Sequence, residues 1–246
     1  MFVLDPRTEF TAVETAAETL LNRAAGAYLG LAVGDALGAT VEFTTPREIR
    51  QQYGEHRDIL GGGWLRLRKG RVTDDTEMAL ALGRSILTTG RVEAGAVAEA
   101  FSEWMRTKPV DIGHTVRRGI SLYRHSGVTE MPENDYDAGN GACMRALPIA
   151  LHTLGADPAS VDAANRIQAH VTHHSTLSDA GTLTVIRMVQ TALLGGSRDQ
   201  LRELAAELVA TDARYDYRGR RMENPSGYLV ETLQAVFQAL FATDSF

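Results

Sequence analysis

The sequence has a single cysteine, Cys143, in 246 residues, which excludes an intramolecular disulfide and a zinc centre built on several thiolates. It also lacks a block of lysine and arginine: 25 basic residues against 31 acidic ones give a formal charge of −6 at pH 7. Nucleic-acid binders draw their affinity from neutralising phosphates, so this balance argues against such a partner. No apolar run is long enough to span a bilayer. Asp5, Glu9 and Glu14 lie among the N-terminal apolar residues, where a secretory signal needs a basic stretch and then an apolar one. A cytoplasmic protein without membrane insertion is the expectation. Serine hydrolases, zinc proteases and His-Asp phosphohydrolases lose their footing too, because Gly-x-Ser-x-Gly, His-Glu-x-x-His and His-Asp are all missing. Strand-like alternation is scarce, no linker divides the chain, and no unit of roughly 20 to 50 residues repeats.

What is present is a globular composition, 44% hydrophobic and 23% charged, which can bury a core. Apolar residues recur at helical spacing in 76–89, 94–106, 180–195, 198–210 and 226–241. Residues able to open a first turn stand at Asn22, Thr73 or Asp74, Asp111, Asn140, Ser178, Ser197 and Pro225-Ser226. Together these predict one all-α domain of about eight to ten helices. Gly26, Gly30, Gly34 and Gly38 make a bare stripe on the first core helix. Four interior glycines cost roughly 0.5 to 1 kcal/mol each relative to alanine, so the stripe predicts a closely approaching neighbour.

The densest polar cluster is Thr73-Asp74-Asp75-Thr76-Glu77-Met78 at a helix start. Thr73 or Asp74 can cap, and Glu77 can complete a capping box with Asp74. A cap uses one acid, however, and two adjacent carboxylates beside a hydroxyl suit a hard cation such as Mg2+ or Mn2+. On these residues alone, cap and metal weigh equally. Gly139-Asn140-Gly141 forms a turn before an apolar helix, where backbone amides could meet an anion such as pyrophosphate. That signal is weak, since such a turn is more often only a turn. Glu42 could pair with an arginine, Asp111 could cap the helix containing Arg117 and Arg118, and His173 and His174 could face solvent. Cys143 is expected in the core.

Three of these pieces, in this order, resemble the ADP-ribosylglycohydrolase family: Gly26 to Glu42, Thr73 to Met78, and Gly139-Asn140-Gly141 followed by Met144-Arg145. Further similarity lies in Gly34 to Phe43, Gly61 to Leu67 and Pro109-Val110-Asp111, and it runs from about Asn22 to Phe246. The resemblance implies a single orthogonal helical bundle in 22–246 behind an extension in 1–21. It implies two divalent cations, Mn2+ or Mg2+, and removal of ADP-ribose from a modified arginine of a protein. Thr73, Asp74 and Asp75 would bind metal, with Glu42 at the metal and ribose site and Asp111 as acid or base. Gly139, Asn140 and Gly141 would hold the diphosphate and ribose, Tyr228 would line the nucleotide side, and His173 would contact the ligand. ADP-ribosylated dinitrogenase reductase is the implied protein substrate, in the regulation of nitrogen fixation, and a PII signalling protein the implied regulatory partner.

Members of the family carry a second acidic segment of the type Asp-x-Asp-Thr, and Phe246 precedes it. Asp244 corresponds to sequence upstream of that segment and is not a substitute ligand. The expectation is a C-terminally incomplete domain with a weakened metal site and uncovered apolar surface on its helices. The competing expectation is a non-catalytic ADP-ribose-binding or structural domain.

Overall fold

The computed structural model describes the backbone of residues 6–243 and the side chains of 17–243. Asp5, Asp244 and Phe246, which enter the sequence reading, lie outside them. Ten α-helices are found among the described residues: α1 (Pro6–Gly38), α2 (Pro46–Tyr53), α3 (Asp74–Thr89), α4 (Ala94–Arg106), α5 (His114–Ser126), α6 (Leu147–His152), α7 (Pro158–His170), α8 (Thr176–Leu193), α9 (Arg198–Thr211) and α10 (Leu229–Ala242). Extended pairing among these residues amounts to two isolated bridges, Gly62 with Leu67 and Gly139 with Tyr228. The all-α expectation holds.

The five periodic segments all fall on helices, because each carries an apolar stripe that one side of a helix can bury. Boundaries are set by caps. Ser197 accepts from the Gln200 amide at 3.3 Å while the Gln200 side chain accepts from the Ser197 amide at 2.8 Å, a reciprocal box that opens α9. Helices α3 and α5 end at Gly90 and Gly127, both left-handed. Several expected starts move. Asn22 lies inside α1, Ser178 lies inside α8 behind the cap Ser175, and α10 begins at Leu229. Asp111 is not the cap of α5; Gly113 occupies that position.

Two apolar clusters build the interior. Met78, Leu82, Phe101, Trp104, Ile120, Ile149 and Ile186 join α3 through α8 in one. Tyr215, Leu229, Leu233 and Phe237 pack α8, α9 and α10 in the other, with Cys143 half-buried against them. The Cys143 thiol is pushed up to about 12 by burial, so it behaves as an apolar packing group.

The glycine stripe of α1 does not meet a neighbour. Ala36 is buried, and Ala24, Ala27, Tyr28 and Leu31 are partly buried on the packing side, while a Cβ built at Gly26, Gly30, Gly34 or Gly38 meets nothing within 4 Å. Spacing by four marks a stripe but leaves open which side of the helix is buried; here the larger residues at three-and-four spacing take the core. Leu21 (69% exposed), Leu29 (67%) and Val33 (41%) lie uncovered on the same helix. Gly30→Ala and Gly34→Ala are therefore expected to stabilise the protein by about 0.5 to 1 kcal/mol each. Urea unfolding checks this, and a loss of stability would mean that the stripe is covered in solution.

Candidate active site

The N-terminus of α3 is fixed from a distance. Asp35 of α1 accepts hydrogen bonds from the Thr73 amide (2.9 Å) and hydroxyl (2.7 Å) and from the Thr76 amide (3.2 Å) and hydroxyl (2.6 Å). A carboxylate from another helix thus satisfies the donors that a helix start leaves open. Thr73 makes no side-chain cap of its own. Glu77 completes no capping box either: it accepts from Arg71 at 2.7 Å and from the Trp104 indole at 2.8 Å. Capping thus requires neither Asp74 nor Asp75.

Those two carboxylates sit among other acids. Burial, followed by the charges of Asp75 and Asp111, pushes Asp74 up to about 7. Burial, followed by the charges of Asp35 and Glu42, pushes Asp75 up to about 6. Glu42 is raised as well, by desolvation first, although the Trp64 indole donates to it at 2.8 Å and opposes the shift. This indole takes the place of the arginine expected beside Glu42. Asp111, between α4 and α5, accepts from the Ile112 amide at 2.7 Å and contributes charge to both Asp74 and Glu42. Five carboxylates, Asp35, Glu42, Asp74, Asp75 and Asp111, are therefore coupled around one helix end. The donor set is hard oxygen, and its repulsion is what a divalent cation would relieve. Thr73, Asp74, Asp75 and Glu42 fit such an ion.

The Trp64 loop depends on backbone freedom. Gly63 has φ +67°, and a Cβ there would lie 2.6 Å from the Ala39 carbonyl oxygen. The loop can thus press close enough for Trp64 to reach Glu42 and pack on Phe43, with ring centroids 5.6 Å apart.

Gly139, Asn140 and Gly141 lie against the start of α10. The Asn140 amide donates to Gly227 O and the Leu229 amide to Ala138 O, each at 2.9 Å, and the Asn140 side chain donates to the Thr232 hydroxyl at 3.2 Å. Tyr228 is thereby held beside Gly139. The turn opens one short 3-10 segment, Asn140–Ala142, and α6 begins only at Leu147. Its Asn140 amide is already engaged, so an anion at this turn would meet other donors than that one.

His173 is not at the solvent face. It is 2% exposed and packs beneath this turn: a Cβ on Gly141 would come within 2.6 Å of its ring. Burial lowers it to about 3, aided by the charges of Arg145 and Arg118, so it is neutral. Its Nδ1 lies 2.8 Å from the hydroxyl of Thr172, which accepts from Arg145 at 2.8 Å.

Sequence reasoning gave no role to three supports. Arg145 is fully buried, donates to Gln168 through Nε (3.0 Å) and lies 4.3 Å over the Phe101 ring. The charge of Asp74 acts on Arg145 and opposes the lowering of the guanidinium by burial. Asp137, buried two residues before Gly139, pairs with Arg118. Asp35 is the third. Its clue lay in Gly34-Asp35-Ala36, an acid inside an otherwise apolar helix segment. Recesses of about 640 Å³ between α3 and α4 and about 660 Å³ among α1, α3 and α6 are lined by none of the five carboxylates.

An all-helical fold with an acid-lined helix start and a glycine turn held against α10 defines a class, and comparison with known proteins identifies it. The ADP-ribosylglycohydrolase family model matches residues 16–246, and the chain belongs to this family of glycohydrolases. An ADP-ribosyl-[dinitrogen reductase] glycohydrolase of Rhodospirillum rubrum is 50% identical over 225 residues, 92% of this chain and 76% of that protein. An ADP-ribosylarginine hydrolase of Pseudomonas putida is 31% identical over 93% of this chain; the match spans 64% of its length, less than two thirds. A solved structure described as an ADP-ribosylglycohydrolase-related protein complex superposes with a TM-score of 0.77 at 29% identity, covering 93% of this chain and 78% of that one.

Proposed function

We propose that the protein hydrolyses the N-glycosidic bond joining ADP-ribose to an arginine side chain of a protein. The observation that carries this reading is the set of buried, mutually repelling carboxylates at the start of α3, freed from capping by Asp35. Thr73, Asp74, Asp75 and Glu42 would hold two divalent cations, Mn2+ or Mg2+. Such ions, when bound, supply a water of lowered pKa and stabilise charge near the anomeric carbon. Asp111, coupled to Asp74, is suited to move a proton between water and the leaving guanidine. Gly139, Asn140 and Gly141 would seat the diphosphate and ribose, with Tyr228 beside them. His173, neutral and covered, would act by holding that turn in place.

Similarity to the Rhodospirillum rubrum protein supports ADP-ribosylated dinitrogenase reductase as substrate. Reactivation of that enzyme in the cytoplasm, with a PII signalling protein as regulator, completes the proposal. Among the described residues no helix is long and apolar enough to cross a membrane.

The test is release of free ADP-ribose from an ADP-ribosyl-arginine peptide, with Mn2+ and after chelation, alongside calorimetry of ADP-ribose. Turnover that requires the metal supports the proposal. Binding without turnover would leave an ADP-ribose-binding domain in its place.

A further inference from the structure

A second group of ligating side chains lies where the loop after α5 meets the corner between α7 and α8. Glu130 comes from the loop, His170 ends α7, and His174 precedes α8. One ligand atom from each of the three lies within 4.8 Å of the others. The two imidazoles are stacked, with centroids 3.7 Å apart and planes inclined by 20°. Glu130 Oε1 stands 3.3 Å from His170 Nδ1 and 3.7 Å from His174 Nδ1. The far nitrogen of His170, Nε2, is 2.9 Å from the carboxylate of Asp179, which is 3% exposed. Its second oxygen is buried without a hydrogen-bond partner. A buried carboxylate on the far nitrogen is how metal-ligating histidines are commonly oriented. The group opens onto a recess of about 370 Å³ that Arg166 also lines.

We propose that Glu130, His170 and His174 bind a divalent transition-metal ion of the zinc type, with Asp179 orienting His170 and water completing the coordination. Two imidazoles and one carboxylate favour Zn2+ or Co2+ over Mg2+ and Mn2+. The oxygen set around Asp74 and Asp75 has the opposite preference, so the site is chemically separate from the one proposed for hydrolysis. Arg166 is the opposing charge. Its guanidinium lies 2.9 Å from Asp162 and 3.7 Å from Asp179, which partly neutralise it.

The site would staple the loop that leads to the glycine turn. That loop is already tied to the same corner, by Met131 N to His170 O at 2.8 Å and Asn134 N to His174 O at 2.9 Å. His174 Nδ1 donates to Met131 O at 2.6 Å, so this imidazole would offer Nε2 to the ion. An ion held by Glu130 would add a link ahead of Asp137 and Gly139.

The experiment titrates the chelator-stripped full chain with Co2+, reads its visible ligand-field absorption, and then displaces it with Zn2+. Thermal melts with Zn2+ run in parallel. The expected result is one Co2+ site with visible bands, and a rise in Tm of roughly 5 to 10 °C at a hundredfold excess of Zn2+ over Kd. Both signals persist in Asp74→Asn and Asp75→Asn. They weaken at least about tenfold in affinity in His174→Ala and in Glu130→Gln. Glu130 is exposed, so its variant keeps the test usable if His174→Ala fails to fold. No Zn2+ effect on the parent, or signals kept in His174→Ala and Glu130→Gln but lost in Asp74→Asn, would overturn the proposal. In the first case the histidines simply share protons with Glu130 and Asp179.

Discussion

Asp74→Asn and Asp75→Asn should each reduce metal-dependent ADP-ribose release by about a thousandfold or more, while making the metal-free protein more stable at pH 8. The two effects have one cause. Loss of a carboxylate ligand removes the charge that holds the cation, and a thousandfold corresponds to about 4 kcal/mol of transition-state stabilisation. In the metal-free state the same carboxylates are a cost, because Asp74 is held at about 7 and Asp75 at about 6 by burial and neighbouring acids. For a carboxyl whose folded pKa is raised, the contribution to stability is fully present below the unfolded value near pH 4. It is lost as pH rises through the folded value. Parent and variant curves should therefore separate between about pH 4 and pH 7, by on the order of 2 kcal/mol at the top of that range. Mn2+ should stabilise the parent at pH 8, since it would bind the ionised form, and should stabilise the variants much less. Urea unfolding at pH 5 and pH 8, with and without chelator, measures all of this. Variants that are less stable without metal and still active would return the acids to the role of helix caps.

Asp35→Ala should cost about 2 to 4 kcal/mol and lower Tm by roughly 5 to 15 °C. Its carboxylate accepts from both amides and both hydroxyls of Thr73 and Thr76, and bonds to an ionised acceptor at a helix N-terminus are the stronger kind. One term opposes the loss. The charge of Asp35 raises Asp75 and Glu42, so its removal relieves some repulsion. The hydrogen bonds should dominate, because four donors near a buried helix start lose their acceptor together. Asp35→Asn, which keeps one acceptor oxygen, should recover about half of the stability. Mn2+ affinity should fall in both variants, since Asp74 and Asp75 are the first two residues of the helix that Asp35 anchors. Thermal melts and metal titration decide the point, and an Asp35→Ala protein with parental stability and affinity would remove Asp35 from this role.

How much of this was readable in advance depends on whether the controlling interaction is local. The helices α3, α4, α8, α9 and α10 were legible because apolar periodicity acts within a few residues. Thr73-Asp74-Asp75 was legible as an excess of oxygen at a helix start, but the choice between cap and metal was not. What relieves both acids of capping is Asp35, 38 residues before Thr73. The glycine spacing in α1 gave a stripe without saying which side is buried. His173 looked like a surface residue because nothing near it in sequence shows that Gly139 and Gly141 lie over its ring. The grouping of Glu42, Asp111 and the glycine turn with Asp74 and Asp75 came from family resemblance; for Glu42 and Asp111 the structure has an electrostatic counterpart in the coupled carboxylates. Arg145 entered only as part of a motif, without a role, and Asp179 not at all, because a charge inside the core is recognised only once its partners are placed.

The pairing of Ala138, Gly139 and Asn140 with Gly227, Tyr228 and Leu229 has a bearing on biosynthesis. The hydrogen bond from Asn140 to Thr232 spans 92 positions, so the turn cannot take its final shape until that distant stretch has left the ribosome and docked. The carboxylate that satisfies the start of α3 belongs to Asp35, already translated. During synthesis the acid-bearing helix start is thus assembled early and the glycine turn late, an order imposed by chain connectivity.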